Sequence, residues 1–202
     1  MDLFERIDAA RARWNLLEHP FYRRWSCGGL TREDLAYYAG EYRHATVALA
    51  ETAARAAELD GPAHAREEAE HVDLWDDFAR AVRADTSRAP SAETAECVSA
   101  WTAPEDPVGA LAVLYAVEAG QPEVSQAKLD GLAEHYGVDG DEPGAAYFAL
   151  HAELDREHAG RARELLAEHA KPQDEELLVT LAEDALRGNW TLLDGVETRT
   201  TR

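Results

Sequence analysis

The segment HAELDREH, at residues 151–158, places three metal-type side chains on one side of a single helix. His151, Asp155 and His158 are spaced i, i+4 and i+7, and at about 100° per residue these positions share one face. Glu118 and His71 lie on two other predicted helices. A helical bundle builds an internal metal centre from ligands on several facing helices, so this pattern strongly favours such a bundle.

Helical periodicity accounts for the whole chain, and no segment shows the sustained alternation typical of a strand. The apolar spacing predicts helices near residues 2–15, 31–59, 62–82, 91–101, 107–136, 144–170 and 173–194, with a kink or break at Gly120-Gln121-Pro122. The chain has 202 residues and no low-complexity linker. We therefore expect one all-α domain over residues 1–202, a bundle of about seven helices, with residues 195–202 frayed.

The composition is strongly acidic, with 40 Asp and Glu against 20 Lys and Arg and a formal net charge of −20. Nucleic acids and anionic membranes both present phosphate, so neither is an expected partner. No apolar run approaches a transmembrane length, and the N-terminus does not resemble a signal peptide. Cys27 and Cys97 lie far apart without a C-x-x-C motif. We expect a soluble, reduced, cytoplasmic protein that acts on a small molecule or on its own side chains.

Several ionisable residues continue the apolar stripes of their helices. On helix 62–82 the stripe extends back to His71, then to Glu67 and Glu68, then to His64, and on the helix from residue 107 it reaches Glu118. Burying an unpaired carboxylate is costly, whereas a dication shared among Glu, Asp and neutral His removes that cost. These ligand types, without Cys, favour iron or manganese over structural zinc, and two metal ions over one.

A structural role is the alternative reading of each residue taken alone. A single His on an apolar face is more often a hydrogen-bonded core residue, and Glu118 could pair with one of the 18 Arg. That explanation weakens for the whole set, because it would have to hold on three separate helices.

Four segments resemble the heme-oxygenase-like dimetal oxidases, and most of all the CADD-like p-aminobenzoate synthases of folate biosynthesis. These are relatives of pyrroloquinoline-quinone synthase C and of TenA-like proteins. The segments are HPFYRRWSCGGLTREDLAYYAGEYRH at 19–44, EHVDLWDDFARAV at 70–82, LYAVEAGQPEVSQAKLDGL at 114–132 and HAELDREH at 151–158. The resemblance covers nearly the whole chain and implies a heme-oxygenase-like bundle that activates O2 at two iron or manganese ions.

The resemblance also implies a ligand set. The family pattern of Glu-x6-His, a central Glu and His-x3-Asp-x2-His falls on the following residues: His71, Glu118, His151, Asp155 and His158. His64 occupies the place of the first Glu, which is a departure, because one imidazole nitrogen cannot bridge two metals. Either His64 ligates directly, or Glu68 or Glu67 replaces the missing carboxylate.

In the CADD-like proteins an internal Tyr is consumed to form the aromatic ring and a Lys supplies the amino group. The matching positions are Tyr22 for the consumed ring, Tyr38 for a second redox tyrosine and Lys128, one of only two lysines. The alternative is that both tyrosines are half-buried bundle aromatics and Lys128 is a surface residue.

Three other functions stay open at this level. One is a dimetal oxidase with a diffusible amino-acid or fatty-acid substrate. The others are a thiaminase-like hydrolase, which would need a reactive Cys, and a metal-free binding module. The terminal helices carry Trp14, Trp190 and Leu193, which could close the bundle or pair two chains as a homodimer.

Overall fold

The computed structural model describes residues 1–140 and 142–200, and this part of the chain contains helices and no strand. The α-helices are α1 (Leu3–Arg13), α2 (Pro20–Ser26), α3 (Arg32–Asp60), α4 (Pro62–Ala81), α5 (Ala92–Thr102), α6 (Pro107–Glu118), α7 (Gln121–Gly131), α8 (Ala146–His169) and α9 (Glu175–Thr200). Short 3-10 turns precede α2, α8 and α9, and a π-helical turn, Leu132–Tyr136, follows α7. The all-α prediction is confirmed.

Helix ends coincide with the local signals in the sequence. Thr31 accepts a hydrogen bond from the Asp34 amide while the Asp34 carboxylate accepts one from the Thr31 amide, which completes a capping box at the start of α3. Gly61, with a φ of 82°, is the only residue between α3 and α4. That left-handed backbone favours glycine, and it lets α4 fold back along α3.

The sequence around Gly120 divides one predicted helix into two. Pro122 has no amide hydrogen, and its ring would clash with the carbonyl four residues earlier, at Glu118. α6 accordingly ends at Glu118 and α7 begins at Gln121. Glu118 therefore lies at the last turn of α6, in the middle of the bundle, and Lys128 lies on the separate helix α7.

α6 is the central helix of the bundle. Its residues from Gly109 to Glu118 are all buried, and it packs against α3, α8 and α9. α4 covers the other side of α3, and it also contacts α8. The inward faces of α4, α6 and α8 therefore converge on one interior region, where side-chain charges have little access to water.

The C-terminal helix is longer than the sequence predicts. Fraying was expected from residue 195, whereas α9 continues to Thr200. Arg24 of α2 holds this end, because its Nη1 donates to Glu197 Oε2 at 3.0 Å and to Thr200 Oγ1 at 3.0 Å. Residues 201 and 202 of the predicted frayed segment lie outside the described residues.

The terminal helices close the bundle within one chain. Trp14 meets Trp190 edge to face with ring centroids 6.0 Å apart, and Leu193 is fully buried. Homodimer formation stays a prediction. Within the described residues, no helix combines the length and the apolar character needed to cross a bilayer.

Candidate metal centre

Seven buried ionisable side chains converge where α4, α6 and α8 meet. They are the imidazoles and carboxylates that the sequence analysis selects on those helices: His64, Glu68 and His71 from α4, Glu118 from α6, and His151, Asp155 and His158 from α8. Each of them is at most 8% exposed. The sequence alone could place each residue on a helix face, and the tertiary packing brings the three faces together.

The first group of possible ligand atoms draws on all three helices. His64, Glu68, Glu118 and His158 each offer one atom, and these atoms lie within 4.8 Å of one another. His64 Nε2 is 3.1 Å from Glu118 Oε1, and Glu68 Oε1 is 3.9 Å from both His64 Nε2 and His158 Nδ1. Two imidazole nitrogens and two carboxylates at these separations could share one cation, which would replace the proton of His64.

The second group contains Glu68, His71 and His151. Glu68 Oε1 lies 2.9 Å from His71 Nδ1. His151 Nδ1 lies 2.7 Å from the Tyr147 carbonyl oxygen, which can only accept, so Nδ1 carries the proton and Nε2 keeps its lone pair. Because Glu68 belongs to both groups, its carboxylate lies where the two groups meet.

Asp155 lies one helical turn from both His151 and His158 but belongs to neither group. Its carboxylate is 1% exposed, both of its oxygens lack a hydrogen-bond partner, and Oδ1 is 4.0 Å from His158 Nδ1. Burial, together with the charges of Glu118 and Glu68, raises the pKa of Asp155 to about 9. A cation near this carboxylate would reverse that shift.

Two further carboxylates hold the outer nitrogens of the histidines in the first group. Asp60 Oδ2 is 3.1 Å from His64 Nδ1, and Glu67 Oε2 is 3.1 Å from His158 Nε2. Carboxylates in this position orient a metal-binding imidazole and increase its basicity. Glu67 is thus placed outside the cluster, whereas His64 and Glu68 are both inside it. The sequence analysis did not identify Asp60, although its i, i+4 spacing to His64 was a usable signal.

Unpaired polar atoms in the cluster provide the test of whether a metal fits. Within the described residues, ten buried side-chain atoms lack a hydrogen-bond partner, and seven of them belong to this cluster. They are His64 Nε2, His151 Nε2, His158 Nδ1, and both carboxylate oxygens of Glu118 and of Asp155. His64 Nε2 and Glu118 Oε1 are close enough for an ion pair but do not have the geometry of a hydrogen bond. Buried polar atoms rarely stay unpaired, and all of these are lone-pair donors. The residues therefore fit a site for divalent cations; metal binding itself remains a prediction.

The proton affinities of the cluster reflect its crowded negative charge. Burial raises the pKa of Glu118 to about 7, against the opposing effect of His64. Burial alone would lower the pKa of His64, but the carboxylates of Glu118, Glu68 and Asp60 outweigh it and raise that pKa to about 9. His151 faces a weaker negative field, and burial lowers its pKa to about 4. Bound cations would compete directly with these protons.

Lys128 lies beside this cluster in a chamber of aromatic side chains. Its Nζ is 4.9 Å from the ring centroid of Tyr42, 5.1 Å from that of Phe148 and 5.6 Å from those of Tyr22 and Tyr38. The side chain is 1% exposed, so the surface interpretation of Lys128 is wrong. Burial lowers the pKa of Lys128 to about 7, with the charge of Asp155 opposing this effect.

Tyr22 and Tyr38 are fully enclosed rather than half-buried, at 1% and 0% exposed. Their hydroxyl oxygens lie 3.3 Å apart, within hydrogen-bond distance. Burial raises the pKa of both phenols well above the usual value, so both stay protonated at neutral pH. The structure thus brings together Tyr22, Tyr38 and Lys128, which the sequence spreads over three helices.

Two aromatic residues that the sequence analysis did not select connect this chamber to the metal cluster. Tyr147 stacks on His151 with ring centroids 3.9 Å apart and an interplanar angle of 24°. Trp75 meets Tyr147 at 4.9 Å and Tyr38 at 5.8 Å, both edge to face. A continuous series of ring contacts therefore runs from Tyr22 to an imidazole of the cluster. Trp75 and Tyr147 lie at apolar positions of their helices, so the sequence alone indicated only ordinary core residues.

Comparison with known proteins assigns the chain to a family. A family model described as an iron-containing redox enzyme matches residues 30–193. The chain belongs to this family. The match includes all seven cluster residues, together with Tyr38 and Lys128.

Relatives of this iron-containing redox enzyme include proteins named 4-aminobenzoate synthase. The protein of that name from Chlamydia muridarum is 28% identical over an alignment of 213 positions that covers 96% of this chain and 89% of that protein. The one from Nitrosomonas europaea is 28% identical over 223 residues, covering 95% of this chain and 89% of that protein.

Similar solved structures confirm the predicted heme oxygenase-like fold. A domain with that fold from Shewanella denitrificans superposes with a TM-score of 0.79 at 22% identity, covering 100% of this chain and 94% of that chain. A CADD-like protein from Nostoc punctiforme gives a TM-score of 0.68 at 14% identity, covering 97% of this chain and 99% of that chain. At these identities the likeness concerns the fold alone.

The two cysteines of this iron-containing redox enzyme offer no activated thiol. Cys97 is fully buried, and burial raises its pKa above the ordinary value, which disfavours the thiolate. Cys27 is exposed at the end of α2, where its Sγ donates to the Arg24 carbonyl at 3.6 Å. Neither thiol lies in the metal cluster, so the geometry gives no support to a thiaminase-like reaction.

Proposed function

We propose that this protein is a dimetal oxidase that makes 4-aminobenzoate from its own side chains, with Tyr22 as the source of the ring and Lys128 as the source of the amino group. The observation that carries the proposal is the enclosure of Lys128 among Tyr22, Tyr38 and Tyr42, close enough to the cluster for the charge of Asp155 to affect its pKa. The names of the relatives support the same chemistry.

The cluster would hold two iron or manganese ions. His64, Glu118 and His158 would hold one ion and His71 and His151 the other, with Glu68 between them and Asp155 beside them. Bound reduced metal would supply electrons that activate O2, and O2 would be the source of the oxidising equivalents for the reaction. The buried carboxylates would balance the positive charge, since water has little access to the site.

Lys128 is suited to provide a nucleophilic nitrogen. An ammonium group has no lone pair, and an ordinary lysine is almost entirely protonated at neutral pH. Burial lowers the pKa of Lys128 to about 7, so the free amine is much more populated at neutral pH than in an ordinary lysine. The surrounding rings also restrict the motion of the long side chain, which keeps Nζ close to Tyr22.

The tyrosine pair is suited to lose a proton and an electron without solvent. The Tyr22 and Tyr38 hydroxyls lie 3.3 Å apart, so one phenol can pass a proton to the other. Trp75 and Tyr147 supply ring contacts from Tyr38 to His151. Oxidation of Tyr22 would therefore not require its ring to reach the metal ions.

A single-turnover experiment tests the proposal. Full-length protein is loaded with iron or manganese, reduced, and exposed to O2 with no added substrate, and 4-aminobenzoate is measured by mass spectrometry. Protein grown on lysine labelled with 15N and ring-labelled tyrosine should release a product that carries both labels. The yield should not exceed about one product per chain.

The chain offers a matched control for each variant. Tyr22→Phe and Lys128→Arg should abolish the product while keeping metal, because arginine preserves the charge but cannot supply a free amine. Tyr37→Phe changes a half-buried tyrosine of α3, and Lys171→Arg changes the only other lysine, which is exposed. Both controls should retain product. Many turnovers per chain, or product from Lys128→Arg, would instead indicate a diffusible substrate.

A further inference from the structure

A cavity of about 300 Å³ lies outside the metal cluster. It lies between α1, the break between α6 and α7, and α9, and none of the seven cluster residues lines it. Leu16, Val124 and Leu186 give it an apolar wall. Its volume is at the small end of cavities that bind organic ligands.

One wall of this cavity carries an incompletely satisfied arginine. Arg11 Nη2 donates to Asp8 Oδ1 at 2.8 Å, whereas Arg11 Nη1 is buried and has no hydrogen-bond partner. A buried guanidinium nitrogen without an acceptor is unfavourable. A planar carboxylate is the ligand group that best matches the donor fork of an arginine.

On α9, the cavity wall carries a hydrogen-bond acceptor that lacks a donor. Asn189 lines the same cavity, is 4% exposed, and has an Oδ1 atom without a hydrogen-bond partner. An amide oxygen can only accept, so a ligand would have to present an N–H or O–H group there. The carboxylates of Asp8 and Glu123 also line the cavity. They would repel a ligand that carried negative charge alone and would favour one that also carries a positively charged ammonium group.

We propose that this cavity binds a small amino carboxylic acid, with the carboxylate on Arg11 and the amino group on Asn189. The site adjoins the chamber, because Gln121 of the cavity wall donates through Nε2 to the Tyr42 hydroxyl at 3.2 Å. 4-Aminobenzoate offers the same carboxylate and N–H groups, but its aniline nitrogen is neutral at pH 7, so the cavity would bind this product more weakly than an ammonium-bearing acid if the proposed reaction occurs. Binding itself requires neither metal nor turnover.

Calorimetric titration of the full-length protein under nitrogen tests the inference. The probes are 4-(aminomethyl)benzoate and 4-aminobenzoate, and the one-ended controls are benzoate and benzylamine. We expect 4-(aminomethyl)benzoate to bind with a Kd below 1 mM, on the order of what a few polar contacts provide. 4-Aminobenzoate, which lacks the positive charge, should bind more weakly, and the one-ended controls should bind at least tenfold more weakly than 4-(aminomethyl)benzoate. Equal binding of benzoate and 4-(aminomethyl)benzoate would overturn the role of Asn189.

Variants separate this cavity from the metal site. Arg11→Gln should weaken binding at least tenfold, whereas Arg13→Gln, on the same helix but paired with Glu183 outside the cavity, should not. Ala12→Phe narrows the cavity from an exposed position and should also weaken binding, even if Arg11→Gln proves unstable. His71→Ala should leave binding unchanged. Loss of binding in His71→Ala, or wild-type binding in both Arg11→Gln and Ala12→Phe, contradicts the proposal.

Discussion

Tyr147 lies flat against His151, with ring centroids 3.9 Å apart, while its backbone carbonyl accepts the Nδ1 hydrogen of the same imidazole. The carbonyl fixes which nitrogen of His151 is free to bind metal, and the ring joins that imidazole to the aromatic chamber. The i, i+4 spacing on α8 produces both contacts. One residue thus links the metal cluster to Lys128 and the tyrosine pair.

Replacement of the Tyr147 ring should therefore affect the reaction more than loss of its hydroxyl. In single-turnover experiments, Tyr147→Leu should lower the 4-aminobenzoate yield at least tenfold, because it interrupts the ring contacts between His151 and Trp75. Tyr147→Phe keeps the ring and should retain most of the yield. Metal content should be unchanged in both, since the backbone carbonyl stays in place. Similar yields from the two variants would show that the ring has no part in the reaction.

The shared position of Glu68 predicts different metal losses for neighbouring residues of α4. Glu68→Ala should lower the content from about two metal ions per chain to fewer than one, since both groups lose a carboxylate. His64→Ala should lose about one ion. Glu67→Ala, outside the cluster, should keep near wild-type content with weaker affinity, on the order of tenfold. Elemental analysis of protein loaded with excess iron or manganese measures the number of metal ions per chain in each variant. If Glu68→Ala still binds about two metal ions per chain, Glu68 is not a metal ligand.

Metal affinity should rise with pH. The pKa of Asp155 is raised to about 9, that of His64 to about 9 and that of Glu118 to about 7, so metal must displace protons from these groups below those values. Each displaced proton contributes about a tenfold change in affinity per pH unit. Competition with a chelator at pH 6, 7 and 8 should show affinity increasing at each step. Asp155→Asn cannot be protonated in this way and should give a shallower slope.

Lys128 should destabilise the metal-free fold near neutral pH. Its pKa falls from 10.5 to about 7 on burial, so between those values the unfolded chain binds the extra proton. Wild-type stability must therefore gain from this residue as pH rises through the window, by about 1.4 kcal/mol per unit. Lys128→Met should be the more stable protein at pH 7.5, and its advantage should shrink by pH 10. Urea unfolding at several pH values measures the difference; a gap that widens with pH would contradict the assignment.

Gly131 is required for the wall of the chamber. A Cβ at this position would lie 2.5 Å from Trp25 Cδ1, and the Trp25 indole is buried and donates to the Lys128 carbonyl at 3.1 Å. Gly131→Ala should cost about 1–3 kcal/mol of unfolding free energy, although alanine favours helix. Gly160→Ala on α8 is the control, since nothing lies within 4 Å of its Cβ. That change should stabilise by up to about 1 kcal/mol in thermal unfolding.

Much of the fold follows from patterns local in sequence. The capping box at Thr31, the turn at Gly61 and the break before Pro122 each follow from the backbone chemistry of a few adjacent residues. The end of α9 was less predictable, because Thr200 is held by Arg24, more than 170 residues away. A sequence pattern over a few neighbouring residues cannot predict a contact between residues so far apart in the chain.

The candidate site also combines features that follow from local sequence with features that follow only from tertiary packing. The sequence by itself determined that His151, Asp155 and His158 share a helix face, because side-chain direction along a helix depends only on spacing. Only the tertiary structure decided that Glu68 lies between two ligand groups and that Lys128 is enclosed by aromatic rings. Both facts depend on distances between atoms of different helices, and these are set by how whole helix faces pack rather than by residues close in sequence.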